Sequence, residues 1–138
     1  MKIQKLFSAA AAALFLTCSM SLVAQDDNLV PNGGFEDTNI KKLKSYGQME
    51  EFCMDWFAAT DVNADVFGEG AKGDKVGIPV NNYGKQDPAG GLCYAGFRAY
   101  SKDPKLKRNY LEVKLPRPLD RDVMYCVSFD ISLADLSR

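Results

Sequence analysis

The 138-residue chain contains no histidine. That absence excludes Ser-His-Asp and Cys-His nucleophilic catalysis within this chain, since both need an imidazole to accept the nucleophile's proton. It excludes histidine-ligated metal centres as well. Cysteine is sparse: there are four, with no C-x-x-C spacing, so zinc and thioredoxin-like chemistry have no support. Surplus positive charge is missing too. Lysine and arginine number 17 against 18 aspartate and glutamate, a balance that offers nucleic acid no electrostatic footprint. The apolar run Leu6–Leu16 is shorter than the roughly 20 residues a bilayer-spanning helix needs. Any chemistry left falls to carboxylates, lysine or tyrosine.

What is present begins with Lys2 and Lys5, followed by that alanine-rich apolar run and the small residue Ala24. Basic, apolar and small-residue regions in this order read as a secretory signal peptide over residues 1–24, with the mature domain over 25–138. Cys18 follows Phe15-Leu16-Thr17, a poor fit to lipoprotein processing, which takes a small residue before the cysteine, so cleavage is expected after Ala24. Loss of the two lysines leaves 15 basic against 18 acidic residues, a net charge of −3. Cys53, Cys93 and Cys126 remain. Outside the cytoplasm one disulfide and one leftover thiol are expected. Cys53–Cys93 is the pair favoured here, although sequence does not dictate connectivity. Cys126 lies in an alternating apolar run and is expected as a small buried hydrophobe.

Hydrophobic patterning points to strands. In "LCYAGFRAY", Cys93, Ala95, Phe97 and Ala99 share one face and Tyr94, Arg98 and Tyr100 the other. In "NYLEVKL", Leu111, Val113 and Leu115 oppose Tyr110, Glu112 and Lys114. "MYCVSFDISL" alternates best, with Tyr125, Val127, Phe129, Ile131 and Leu133 on one face. A period of two, with one polar face, is the mark of antiparallel sheet. Leu29-Val30 reads as a short first strand, halted by Pro31 and turned by Asn32-Gly33-Gly34. Thr38–Phe52 reads as a loop carrying a helical turn, and Asp55–Phe67 as strand-like. Gly68–Gly91 is a long polar loop with one alternating segment, Val76, Ile78 and Val80. The fold class is therefore all-β, an antiparallel β-sandwich or jelly roll. Five to six strands are countable where a jelly roll uses about eight. The chain also stops just after its best strand, so the domain is expected to be incomplete at its C-terminus.

Tyr94, Arg98 and Tyr100 on one strand face, with Tyr83 in the glycine-rich loop, form a candidate glycan platform. Aromatic faces stack on sugar rings, and the arginine fork donates to hydroxyls or carboxylates; the bland alternative is that the tyrosines rim a core. Asp61, Asn63 and Asp65 have the spacing that opens an EF-hand, but Val66 stands where glycine is required and Lys72 where the bidentate glutamate should be. They read instead as polar residues on an exposed strand face. Trp56, beside Phe57, reads as core. Lys102, Lys105, Lys107 and Arg108 read as a solvated loop around Pro104. Asp120, Asp122, Asp130 and Asp135 sit in no pocket-forming context, although glycosidases need two carboxyls in facing positions. No enzyme activity is expected.

Several stretches in order carry a resemblance: "NLVPNGGFED" at Asn28–Asp37, then Trp56, then "ADVF" at Ala64–Phe67. Next come "VGIPVNNYGKQDPAGGLCYAGF" at Val76–Phe97, "NYLEVKLPRPL" at Asn109–Leu119 and "YCVSFDISLAD" at Tyr125–Asp135. The opening resembles galactose-binding-like jelly rolls of the carbohydrate-binding-module type. The whole series is similar to the N-terminal region of secreted OmpA-family proteins of Gram-negative bacteria, in which a β-sandwich precedes a peptidoglycan-binding domain. This likeness implies an outer-membrane or periplasm-facing location and a structural or glycan- or peptidoglycan-associated role, with the C-terminal domain of the same protein as a partner. The alternative it implies is a carbohydrate-binding module of a secreted glycan-degrading enzyme. It also implies that Glu36 joins backbone carbonyls around a structural Ca²⁺, an ion that takes about six to eight oxygens. The plainer reading of Glu36 is a solvated turn carboxylate.

Overall fold

The structure, a computed structural model, describes residues 28–72 and 74–137; the expected signal peptide lies outside them. It is β-rich, with little helix. Among the described residues six short strands form three antiparallel pairs: β1 (Trp56–Phe57) with β6 (Glu112–Val113), β2 (Asp65–Gly68) with β5 (Cys93–Gly96), and β3 (Val80–Asn81) with β4 (Gly84–Lys85). A 3-10 turn at Ile40–Lys42 and a single helical turn, α1 (Met49–Phe52), occupy the loop that precedes them.

The opening turn is organised by one side chain. Asn32 takes a positive φ of 47°, which asparagine tolerates better than most residues. Its carbonyl accepts from the Phe35 N–H at 3.0 Å and from the Trp56 indole N–H at 2.9 Å. Its amide accepts from the Asp37 N–H at 3.0 Å and donates to the Met54 carbonyl at 2.8 Å. Phe35 then lies 4.8 Å from Trp56, ring centre to ring centre. The stretch "PNGGFE" therefore staples the start of the domain to β1, and Trp56 is a core residue as expected. No strand forms at Leu29-Val30, because the turn begins there and its hydrogen bonds are local.

The centre is the β2–β5 ladder, in which Val66 faces Ala95, Phe67 faces Tyr94 and Gly68 faces Cys93. Phe67 and Tyr94 stack at 5.0 Å. Leu43, Met49, Cys53, Ala64, Val66, Phe67 and Val76 form the buried cluster, with Phe35, Trp56, Tyr83 and Leu111 against it. Gly68 is dictated by closeness: a Cβ there would sit 3.1 Å from the Ile40 side chain and 3.3 Å from Cys93 Sγ. The alternation read at Tyr110–Leu115 holds, with Leu111, Val113 and Leu115 half-buried and the intervening residues exposed.

Three further expectations need correction. Met124–Leu133 forms no strand: Val127, Phe129, Ile131 and Leu133 are 76–81% exposed, and no backbone-to-backbone hydrogen bond reaches 124–133 among the described residues. Period-two patterning specifies a strand only when a neighbour supplies the ladder, and none is folded beside this segment. Cys126 is accordingly exposed rather than buried. Cys53 and Cys93 are buried, as two free thiols instead of the expected bridge.

Candidate functional site

Loops from all three strand pairs converge on a cleft of about 220 Å³. Tyr46 and Gly47 come from the loop before α1, Asn63 and Asp65 from the start of β2, and Tyr83 from the β3–β4 turn. Arg98 follows β5 and Asn109 precedes β6. Local chemistry sets each of them. Gly47, at φ 70°, turns its N–H onto Asp65 Oδ1 at 2.6 Å, a backbone region in which glycine has no steric penalty. Asn81 Oδ1 accepts the Tyr83 N–H at 2.8 Å and so holds the hairpin turn. Asn109, 6% exposed, accepts from the Arg98 N–H and donates to the Asn63 carbonyl at 2.8 Å. It joins the ends of β5 and β6 to the start of β2.

The cleft offers mixed chemistry. Tyr46 and Tyr83 lie 5.1 Å apart, tilted by 54°, and the Lys75 ammonium stands 5.9 Å over the Tyr46 ring. Asn63 Oδ1 is buried without a hydrogen-bond partner, an acceptor facing a donor deficit. Asp65 is the sole carboxylate among the lining residues. Burial raises its pKa above the usual range, opposed by the Gly47 N–H and then by the Arg98 charge. Tyr83 is raised for the same first reason, loss of solvent, with Asp65 adding to it. Arg98 donates one N–H to the Lys107 carbonyl at 3.2 Å, leaving most of its five donors. The arrangement can accept two donors, donate to several acceptors and present aromatic surface.

The four residues of the expected glycan platform are divided by the fold. Tyr83 and Arg98 meet in this cleft. Tyr94 is half-buried against the core: its ring stacks on Phe67, its hydroxyl accepts from Asn81 Nδ2 at 3.0 Å, and burial raises its pKa. Tyr100, 63% exposed, borders a second cleft of about 320 Å³ with Phe97, Leu133 and Ser137, a cleft that Arg98 also lines. Tyr46 and Asn109 were not legible as site residues, since loop closure alone brings them there. Asn63 and Asp65 were visible only by the spacing of candidate cation ligands.

Glu36 is engaged elsewhere. Both carboxylate oxygens accept from the Leu92 N–H at 3.0 Å, and Oε1 also accepts from the Cys93 N–H at 3.0 Å. The carboxylate ties the opening turn to the start of β5. Among the described residues no group of three acidic, cysteine or histidine side chains is arranged to hold a metal. Cys93 beside it is pushed up to about 11, by burial first, then by the Glu36 charge and by Cys53. Cys53 is raised as well, chiefly by burial. In the basic loop, Lys107 pairs with Asp61 at the surface. No family model, curated protein or solved structure matches the chain.

Proposed function

We propose that this chain is a non-catalytic module of the cell envelope, of the galactose-binding-like β-sandwich type found in OmpA-family outer-membrane proteins. Its role is to hold a glycan or peptidoglycan unit. The observation that carries the reading is the Tyr46–Tyr83–Asp65–Arg98 cleft with the buried, unpartnered Asn63 Oδ1. A pyranose offers vicinal hydroxyls, each both donor and acceptor, and an apolar C–H face for a tyrosine ring. Those are the groups that this set of side chains lacks. The cleft lies below the roughly 300–1,000 Å³ usual for drug-sized ligands, in keeping with one sugar unit at a chain end or branch. The N-terminal Lys2, Leu6–Leu16 and Ala24 pattern supports delivery to the periplasm or cell surface.

The test is retention on purified sacculi and calorimetric titration with galactose and N-acetylglucosamine oligosaccharides. Wild type is expected to bind at least one of these, and Arg98→Ala, and Tyr83→Ala at a temperature where it remains folded, to lose most of the affinity. Absence of binding to all of them, or equal binding by the variants, would overturn the reading.

A further inference from the structure

The segment 120–136 is closed on itself at its start, tied to the β3–β4 hairpin and the residue after it at its end, and free in the middle. At its start the Tyr125 hydroxyl accepts from the Asp120 N–H at 2.9 Å and donates to Asp120 Oδ2 at 3.3 Å. At its end Asp135 Oδ2 accepts from the Lys85 N–H at 2.9 Å, the Leu136 N–H donates to the Tyr83 carbonyl at 3.1 Å, and the Ser132 hydroxyl donates to Gln86 Oε1 at 2.6 Å. Between these pins, Val127, Phe129 and Ile131 are at least 76% exposed, and the backbone makes no hydrogen bond to other backbone among the described residues. An unpaired, apolar, proline-free segment of this kind is a template for strand addition.

The sequence of the segment also specifies what it fits. We infer that it pairs with the same segment of a second copy, as an antiparallel strand centred on Phe129. In that register Phe129 faces Phe129, Val127 faces Ile131 and Tyr125 faces Leu133, so that every opposed pair on one face is apolar. On the other face Ser128 meets Asp130 and Cys126 meets Ser132, with no like charges directly opposed. The register centred on Asp130 loses this match, since it opposes Asp130 to its own copy and sets Tyr125 against Asp135; the register centred on Ser128 keeps an apolar face but sets Cys126 against Asp130 instead of Ser132, which the cross-link below distinguishes. Pairing about a two-fold axis is isologous and closes at two copies. The apolar face so doubled continues toward Phe97 and Tyr100, which share the second cleft with Leu133.

Sedimentation of the purified full chain from about 1 to about 100 µM, a span that covers micromolar association, is expected to show a monomer–dimer equilibrium. Phe129→Glu, at a side chain 76% exposed, is expected to shift the protein to monomer and to keep the far-UV spectrum and melting temperature that the wild type shows when diluted to monomer. Register is read separately: Ser132→Cys should give a covalent dimer with oxidised glutathione, through Cys126 of one copy and the introduced thiol of the other, far faster than wild type. A monomer throughout the range, open-ended assemblies larger than two, a dimer that survives Phe129→Glu, or equal cross-linking by wild type would each overturn the inference. A monomer would assign the exposed segment to a different partner.

Discussion

Replacing Glu36 separates two accounts of the same carboxylate. If it is a tether, its worth lies in the N–H groups of Leu92 and Cys93, which it accepts at 3.0 Å. Hydrogen bonds to a charged group contribute roughly 1.5–3 kcal/mol when well buried. Glu36 is exposed, so screening reduces this, and about 1–2 kcal/mol is the expected loss on Glu36→Ala. For a domain of this size that is a fall in melting temperature of roughly 4–9 °C. Glu36→Gln keeps one acceptor oxygen and is expected to lose about half as much. Thermal unfolding followed by circular dichroism, with Ca²⁺ and then with chelator, is the assay. The tether account predicts the same fall in both conditions. A wild-type melting temperature that rises with Ca²⁺, with the variants insensitive to it, would refute the tether and restore the cation role. A melting temperature unchanged by Glu36→Ala in either condition would refute both.

Asp65 gives a pH prediction. Burial raises its folded pKa above the ordinary 3.8, so the folded state holds the proton more tightly than the unfolded chain, and stability falls as pH rises from 3.8 through the folded value. Asp65→Asn is expected to flatten that slope, to match or exceed the wild-type melting temperature at pH 7, and to weaken glycan retention; an unchanged slope argues against the burial. Leu43→Ala, at a fully buried side chain, should cost about 2–5 kcal/mol by denaturant titration, and a loss below about 1 kcal/mol would show that the cluster is not the core. Thiol titration of residues 25–138 should find Cys126 reactive in the native protein and Cys53 and Cys93 only after unfolding, since burial raises both. If only one thiol appears in denaturant without reductant, Cys53 and Cys93 are bridged.

Local pattern was a good guide where a residue's surroundings lie within a few positions of it. The Leu111–Val113–Leu115 alternation, the Trp56 core position and the turn after Pro31 were all readable, because pleat geometry, aromatic burial and positive φ are short-range properties. The site was half-legible. Tyr83 and Arg98 advertised themselves by type, whereas Tyr94, on the same strand face as Arg98 in the sequence pattern, is drawn inward by Phe67 and Asn81. Tyr46 and Asn63 join the cleft only because Gly47 bonds to Asp65 across 18 residues.

By itself the sequence determined a β-rich character and the absence of imidazole chemistry, since composition and period do not depend on what folds against what. Tertiary structure alone decided that the strongest alternating segment, Met124–Leu133, stands unpaired in solvent. It alone decided that Glu36 serves the backbone of β5 and that Asp65 and Arg98 share a cleft. Each of these depends on a partner distant along the chain, and a strand, a carboxylate or a thiol takes its role from the groups that reach it in space.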